Sequence, residues 1–356
     1  MATKKNILIS AGGTGGHFFP AIALFQELKQ QDYKAHFITD ARCSNYMPAN
    51  LKDKIVVQNI SKFQKSPIKL FIFAFSLGFF VAKNLWFLLK HKIDIVITFG
   101  GYQGIAVLIA AVLLRKKIIV HEQNIIAGRT NKLFAKIANV VAVAYKNQQG
   151  FEKFKHKQKF TGIPVRSEFY QKMPNKTSDK FVILVVGGSQ GADIFNNLMF
   201  EILAHIDSSR LDQIELVQQV RAEAINDVKA KYEEIGVSAQ IDSFFNDMAK
   251  RIHNADLVIS RSGASTIAEL IAARKPAIFL PYPHAMDNHQ YYNALELKNI
   301  GVARLYEEKT LVYSEIAQFV DSVVQNPTIL SKMSGCFDKA LPGHPVDDII
   351  KIIDKL

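Results

Sequence analysis

No Asp-x-Asp pair occurs anywhere in the 356-residue chain, and no His/Cys cluster has the spacing of a metal site. Neither a carboxylate-held metal beside a diphosphate nor a structural zinc is therefore expected, and no cofactor is. Cys43 and Cys336 are the only cysteines, too few and too far apart for a disulfide framework, which points to a reducing, cytoplasmic compartment. Residues 1–5 are followed by too short an apolar run for a signal peptide. Acidic residues are scarce in one half alone. Residues 1–163 hold 24 Lys and Arg against 7 Asp and Glu, whereas residues 164–356 hold 20 against 25. The formal net charge of +12 therefore belongs to the first half. A polyanion or an anionic membrane surface is the natural partner of such a face, the alternative being a solvated lysine-rich surface.

What is present reads as a globular α/β chain of two domains, with 49% hydrophobic and 21% charged residues. The apolar run 6–10 leads into Ala11-Gly12-Gly13-Thr14-Gly15-Gly16-His17 and then an apolar helical segment. Strand, glycine loop and helix N-terminus together make an anion cradle, because free backbone N–H groups and the positive end of the helix dipole face the ligand. The loop is neither a G-x-G-x-x-G fingerprint nor a P-loop, since it ends in His17. Further strands are predicted at 35–39, 55–59, 93–98, 117–121 and 140–144, with helices at 17–31, 68–91, 104–115 and 129–137. Residues 162–180, with Pro164 and Pro174, read as a linker. The pattern then restarts at 181–186, followed by Gly187-Gly188-Ser189-Gln190-Gly191 and a helix. Later strands are predicted at 214–220, 239–244, 255–260, 277–281 and 302–306. Two tandem doubly wound, Rossmann-like domains follow, with ligands at the carboxyl ends of the strands.

Residues 70–82 are 13 in a row without a charge; Lys83 and Asn84 interrupt, and Leu85-Trp86-Phe87-Leu88-Leu89 resumes. A spanning helix wants ~20 apolar residues. Phenylalanines and a tryptophan flanked by lysines instead describe a helix lying in the membrane interface, with a core helix packed on the sheet as the alternative.

In the second half, Arg261-Ser262-Gly263-Ala264-Ser265-Thr266-Ile267-Ala268-Glu269 follows a predicted strand and opens a helix. Ser262 is expected to cap that helix, leaving the next N–H groups to a phosphate and Glu269 to a ribose diol. An ordinary capped helix is the competing reading. The polar loop after Pro281, through Gln290 and Asn293, suits sugar hydroxyls, since amides both donate and accept. His121-Glu122-Gln123-Asn124 is a second dense polar cluster at a strand's carboxyl end.

Taken in order, these stretches resemble the MurG-type UDP-N-acetylglucosamine transferases of peptidoglycan synthesis. The resemblance rests on 12–17, Gly100-Gly101-Tyr102, 121–124 with Ala127-Gly128 and Thr130-Asn131, 162–166, 187–192, 261–269 and His289-Gln290 with Asn293. It implies a GT-B glycosyltransferase architecture. Residues 1–163 with a returning C-terminal helix (344–356) would form the acceptor and membrane-facing domain, and residues 164–343 the donor domain. It implies inverting transfer of N-acetylglucosamine from UDP to the 4-hydroxyl of a muramyl-pentapeptide on diphospho-undecaprenol, that is, a role in cell-wall growth, cell shape and division. The partners implied are UDP-N-acetylglucosamine, the lipid-linked acceptor, an anionic membrane surface and other cell-wall or division proteins, with no nucleic acid. The location implied is peripheral, on the cytoplasmic face of the bacterial inner membrane.

By the same resemblance the backbone at Phe245 reads uracil and Glu269 reads the ribose. Arg166, Ser189 and the residues from Ala264 onward take the diphosphate, and Gln290 and Asn124 contact the donor sugar. Thr14, Gly15, Gly16, Tyr102, Gln190, Arg261, Ser262, Gly263, Ser265, Thr266, Ile267, Ala268 and Asn293 complete the expected substrate contacts.

Inversion by single displacement needs a base, and the first half offers seven carboxylates. Asp94 sits at the wrong end of its strand, Glu27, Asp32, Asp53 and Glu152 lie away from the cleft, and Asp40 lacks a glycine loop beside it. His17 is left as the candidate, its pKa lowered by the helix N-terminus, with Glu122 and His121 as second choices. The competing role for His17 is hydrogen bonding to phosphate. One departure from the family pattern is Gln103-Gly104, where a serine and a proline are usual, which touches the acceptor contacts of the second glycine loop. Two rival functions remain at this point: a transferase with another acceptor, and a non-catalytic basic module binding nucleic acid or membrane.

Overall fold

In a computed structural model, residues 4–60, 66–102, 104–171, 176, 178–187, 192–339 and 343–356 are described. The chain divides into two compact units, Met1–Arg166 with Pro342–Leu356, and Ser167–Leu341.

Unit 1 alternates β1 (Asn6–Ser10), α1 (Gly15–Gln30), β2 (Lys34–Thr39), β3 (Ile55–Val57), α2 (Pro67–Lys90), β4 (Ile95–Thr98), α3 (Gly104–Leu113), β5 (Lys117–Glu122), α4 (Arg129–Ala135), β6 (Val140–Val143) and β7 (Gln158–Phe160). Its strands form one parallel sheet in the order β3-β2-β1-β4-β5-β6-β7. β1 and β4 are neighbours although distant in sequence, so the glycine loop after β1 lies at the topological switch point, where ligands enter such sheets. Strands β1, β4 and β5 are buried almost throughout because helices cover both faces, which is why they read as continuous apolar runs.

Unit 2 repeats the plan with β8 (Phe181–Val186), α5 (Ile194–Leu203), β9 (Ile214–Gln219), α6 (Ile225–Glu234), β10 (Ser238–Asp242), α7 (Met248–Asn254), β11 (Leu257–Ser260), α8 (Ala264–Ala272), β12 (Ala277–Phe279), α9 (His289–Ile300), β13 (Ala303–Leu305), α10 (Tyr313–Gln325) and α11 (Thr328–Gly335). The parallel order is β10-β9-β8-β11-β12-β13, with the switch between β8 and β11. The last helix, α12 (Pro345–Lys355), belongs to unit 1, where Val346, Ile349, Ile350 and Ile353 join the core built by α1. The Tyr33 hydroxyl donates to Asp354 at 2.7 Å.

Helix α2 runs without a break through Lys83 and Asn84. Asn84 does not interrupt the helix because its amide turns inward and exchanges two hydrogen bonds with Gln58, at 3.0 and 3.1 Å, in a buried site. Only Asn84 and Leu88 are buried in the whole helix. Phe71 and Phe75 are each 72% exposed and Trp86 59%, so the core-helix alternative does not hold. At 24 residues α2 is long and apolar enough, by length and composition, to cross a membrane.

Candidate functional site

The candidate site of unit 1 is built on the ends of β1, β4 and β5. Thr14 is the extended N-cap residue of α1, and its side chain makes no cap bond to the backbone. Instead Thr14 Oγ1 lies 3.4 Å from His17 Nδ1, so the imidazole, not the hydroxyl, edges the helix mouth. Gly15 is buried and Gly16 half-buried at the first two helical positions, and no acidic residue occupies the first turn. The N–H groups there and the helix dipole favour an anion.

Two glycines of the second loop make the arrangement possible. A Cβ on Gly101 would sit 2.4 Å from the Gly12 carbonyl oxygen, so the loops approach backbone to backbone, and its φ of +89° suits glycine. A Cβ on Gly100 would meet the His17 ring at 3.2 Å and the Asn131 amide nitrogen at 3.5 Å. The structure therefore brings His17, Gly100 and Asn131 together. Tyr102 faces α2 through Phe73, with ring centroids 5.8 Å apart. Gln103 lies outside the described residues.

The two second-choice bases are occupied elsewhere. Glu122 is 1% exposed. Its Oε2 accepts from the Gly128 N–H at 2.8 Å and Asn131 Nδ2 at 2.9 Å, and its Oε1 from the Asn124 N–H at 3.0 Å. A buried carboxylate held by these fixed donors organises the polar cluster and the entry to α4. His121 is fully buried, stacked on Phe99 at 4.7 Å. Its Nε2–H donates to the Gly162 carbonyl at 2.9 Å, while Nδ1 accepts from Gln123 at 3.0 Å. Burial, against the smaller effect of that carbonyl, pushes its pKa down to about 4. Asn124 is half-buried, held by Glu122 and by Gln148, which donates to its carbonyl at 2.9 Å.

Arg42 is a residue the sequence reading missed. Its Nη2 and Nε bond Asp40, at 2.6 and 3.2 Å, and Asp40 is itself 1% exposed. The clamped guanidinium lies against Gly13, where a Cβ would meet Nη2 at 3.4 Å. Asp40 thus does have a glycine loop beside it, reached through Arg42. The signal available was an acid and an arginine two residues apart directly after a buried strand. Arg166 falls in unit 1, its guanidinium 5.9 Å from the centre of the Phe19 ring on α1.

Unit 2 carries a candidate site of its own. Ser262 does not cap α8; the N-cap residue is Gly263, without a side-chain bond. The Ser262 hydroxyl, fully buried, donates to the Gln290 carbonyl at 2.7 Å and so ties α9 to the end of β11. The N–H groups of Ala264, Ser265 and Thr266 thereby keep an uncapped helix mouth. Ile267 and Ala268 are core residues, 0% and 5% exposed, and the Ile267 N–H is already bonded to the Gly263 carbonyl. Past the first four N–H groups counted from the N-cap Gly263, a helix uses its N–H groups internally, so the backbone at Ile267 is not open to a ligand. Arg261 is also turned inward. It donates to the Leu280 and Pro281 carbonyls at 3.0 and 3.1 Å, pairs with Glu308, and packs on Phe195 and Tyr282. It holds the loop after β12, and no described geometry aims it at a ligand.

Glu269 is half-buried on α8, within two turns of its start. Phe245 is buried after β10 beneath the Arg251 guanidinium, 3.9 Å from its centroid. Gln290 Oε1 accepts from the Tyr282 N–H at 2.9 Å, and buried Asn293 donates to the Ser262 carbonyl at 3.4 Å. Ahead of α9, Asp287 and Asn288 both take a φ of 52°, a strained conformation of the kind kept at ligand clamps. Ser189 and Gln190 lie outside the described residues.

Two parallel-sheet, doubly wound units, each with an uncapped helix mouth beside its switch point, have the architecture of the GT-B glycosyltransferases. The Glycosyltransferase family 28 N-terminal domain matches residues 7–143 and the family 28 C-terminal domain residues 182–351. The UDP-N-acetylglucosamine--N-acetylmuramyl-(pentapeptide) pyrophosphoryl-undecaprenol N-acetylglucosamine transferase of Rickettsia canadensis is 37% identical over 335 residues, 93% of this chain and 94% of its own. The enzyme of that name from Rickettsia felis is 36% identical with the same coverage. The crystal structure of Acinetobacter baumannii MurG superposes with a TM-score of 0.77 at 28% identity, covering 99% of this chain and 100% of that one. The chain belongs to glycosyltransferase family 28 and, within it, to the MurG-type N-acetylglucosamine transferases.

Proposed function

We propose that this protein transfers N-acetylglucosamine from UDP-N-acetylglucosamine to the 4-hydroxyl of N-acetylmuramyl-pentapeptide on diphospho-undecaprenol, inverting the anomeric carbon. The observation that carries the reading is the match over 93% of the chain, at 37% identity, to a transferase whose name gives that sugar and that acceptor. The donor belongs to unit 2, with its diphosphate at the uncapped start of α8, its ribose on Glu269, its uracil at the Phe245 backbone and its sugar near Gln290. The acceptor belongs to unit 1, with its diphosphate at Gly12–Gly16 and His17 taking the hydroxyl proton. Support for His17 comes from elimination: Glu122 and His121 are saturated and buried, whereas the His17 imidazole is half-buried at the rim.

Helix α2 supports a peripheral seat on the cytoplasmic face of the inner membrane. Its apolar side is open to solvent, while Asn84 and Leu88 hold the helix against the sheet's flank, so it lies in the interface plane. Incubation with UDP-N-acetylglucosamine and the lipid-linked acceptor tests the reaction, and release of no UDP refutes it. His17→Ala is expected to lower turnover far more than donor affinity; a collapse of donor affinity makes His17 a binding residue.

A further inference from the structure

We propose that a second anion site, distinct from the glycine loops, lies at the opposite end of the unit 1 sheet, where β1 and β2 begin, and binds a phosphate group, free or borne on a lipid headgroup. A cavity of about 450 Å³ opens there, between the C-terminal ends of α1 and α2. Lys29 lines it from α1, Lys34 from the first position of β2, and Lys90 and Lys92 from the end of α2. His36 and His91 form its floor, their rings 4.3 Å apart, with the edge of His36 set against Phe87. Among the described residues no carboxylate lines the cavity, and none of its four lysines takes part in an ion pair.

Lysines at helix ends often do no more than complement the helix dipole. At the end of α2 a side-chain amide shares that role. The Asn6 side-chain amide donates to the His91 and Lys92 carbonyls at 3.2 and 3.0 Å, covering the negative end of α2. Asp94, which follows in the chain, spends its Oδ2 on the Asn6 N–H at 2.8 Å. The cations are left facing one another. Burial, then His91 and Lys29, push the His36 pKa down to about 4, and burial with Lys90 lowers that of His91. A bound anion reverses that sign, so binding favours the protonated His36 imidazole. The site also continues the exposed side of α2: Lys90 lies over the Trp86 ring at 4.5 Å, and Trp86 and Leu89 are both 59% exposed. A headgroup phosphate beneath α2 would meet this cavity.

The experiment follows the His36 and His91 imidazole signals by NMR through a pH titration of the full-length protein. The probes are inorganic phosphate, phosphatidylcholine vesicles and the same vesicles containing phosphatidic acid, with sodium chloride matching ionic strength. Phosphate is expected to raise the proton affinity of His36 at least ~tenfold. The effect should vanish in a Lys34→Ala/Lys92→Ala variant that still transfers sugar to a soluble acceptor. A shift with both phosphate and phosphatidic acid, or with either alone, supports the site and names its source. No shift with any probe, an equal shift with chloride, or a shift that persists in the double variant overturns it.

Discussion

Replacing Glu122 by glutamine separates a structural carboxylate from a catalytic one. Its two oxygens meet the N–H groups of Gly128, Asn131 and Asn124 at 2.8, 2.9 and 3.0 Å, in a site 1% exposed. Whichever way the new amide turns, its nitrogen faces a donor. In the better orientation one backbone N–H is left buried and unpaired, and the other two bonds lose their charge. One lost donor at ~1–3 kcal/mol and two weakened bonds at ~0.5–1 kcal/mol each give a destabilisation of about 3 kcal/mol. Trp86, the single tryptophan, lies in unit 1, so its fluorescence during urea unfolding reports this unit. With a slope of ~2 kcal/mol/M the midpoint should fall by about 1.5 M. Alanine, which strands all three donors, should cost more. An unchanged midpoint together with a turnover loss of ~10²-fold or more would refute this reasoning and restore Glu122 as a base.

Arg42→Ala should raise KM for the lipid-linked acceptor about tenfold, equivalent to ~1.4 kcal/mol, with donor affinity unchanged. Arg42→Lys should not rescue it, because a point charge cannot span Asp40 and the Gly13 loop together; weakened UDP binding would move Arg42 to the donor. Because His121 is buried neutral, with its pKa at about 4 in the fold against 6.5 unfolded, the unfolded chain binds the proton first. Its contribution is complete above pH 6.5 and is lost as pH falls toward 4, a change on the order of 3 kcal/mol. A His121→Asn variant should show a flatter urea midpoint across that window, and an identical profile would disprove the assignment. Asn84→Leu should destabilise unit 1 by ~1–3 kcal/mol by orphaning the Gln58 amide, and Gln58→Leu in the same chain should recover part of it. Strict additivity of the two would show that the pair is not coupled.

The strands were legible because parallel strands covered on both faces must be apolar along their whole length, as 181–186 is. β7, at 158–160, was not: Gln158-Lys159-Phe160 is a short edge strand buried on no face. The glycine loops were also legible, since backbone contact between Gly12 and Gly101 admits no side chain. Side-chain direction was not. A serine before a helix reads as a cap, yet the Ser262 hydroxyl goes to a carbonyl 28 residues away. A run of four polar residues at the end of β5 reads as a ligand surface, yet His121, Glu122 and Gln123 are all buried and bonded within their own neighbourhood. Local sequence places a polar group at a strand's end, and only the tertiary partners decide whether it faces the ligand or supports what does.

The scarcity of carboxylates in residues 1–163 bears on the choice of base. Of the seven in residues 1–163, Asp40 is spent on Arg42, Asp94 on the Asn6 N–H, Glu122 on its three donors, Glu152 on the Gly150 N–H and Glu27 on Gln31. Hydrogen bonds to neutral donors leave their charges in place, but seven carboxylates against 24 lysines and arginines still give residues 1–163 the positive field that suits a lipid diphosphate. The same field lowers the proton affinity of any base placed in it. A carboxylate starting near pKa ~4 would become too weak to take a hydroxyl proton, whereas an imidazole starting near ~6.5 keeps useful basicity after the same loss. His17→Glu should therefore not recover the turnover lost in His17→Ala, measured with saturating donor and acceptor. Recovery to within ~tenfold of the parent would mean that the field at this loop is weaker than the charge distribution implies.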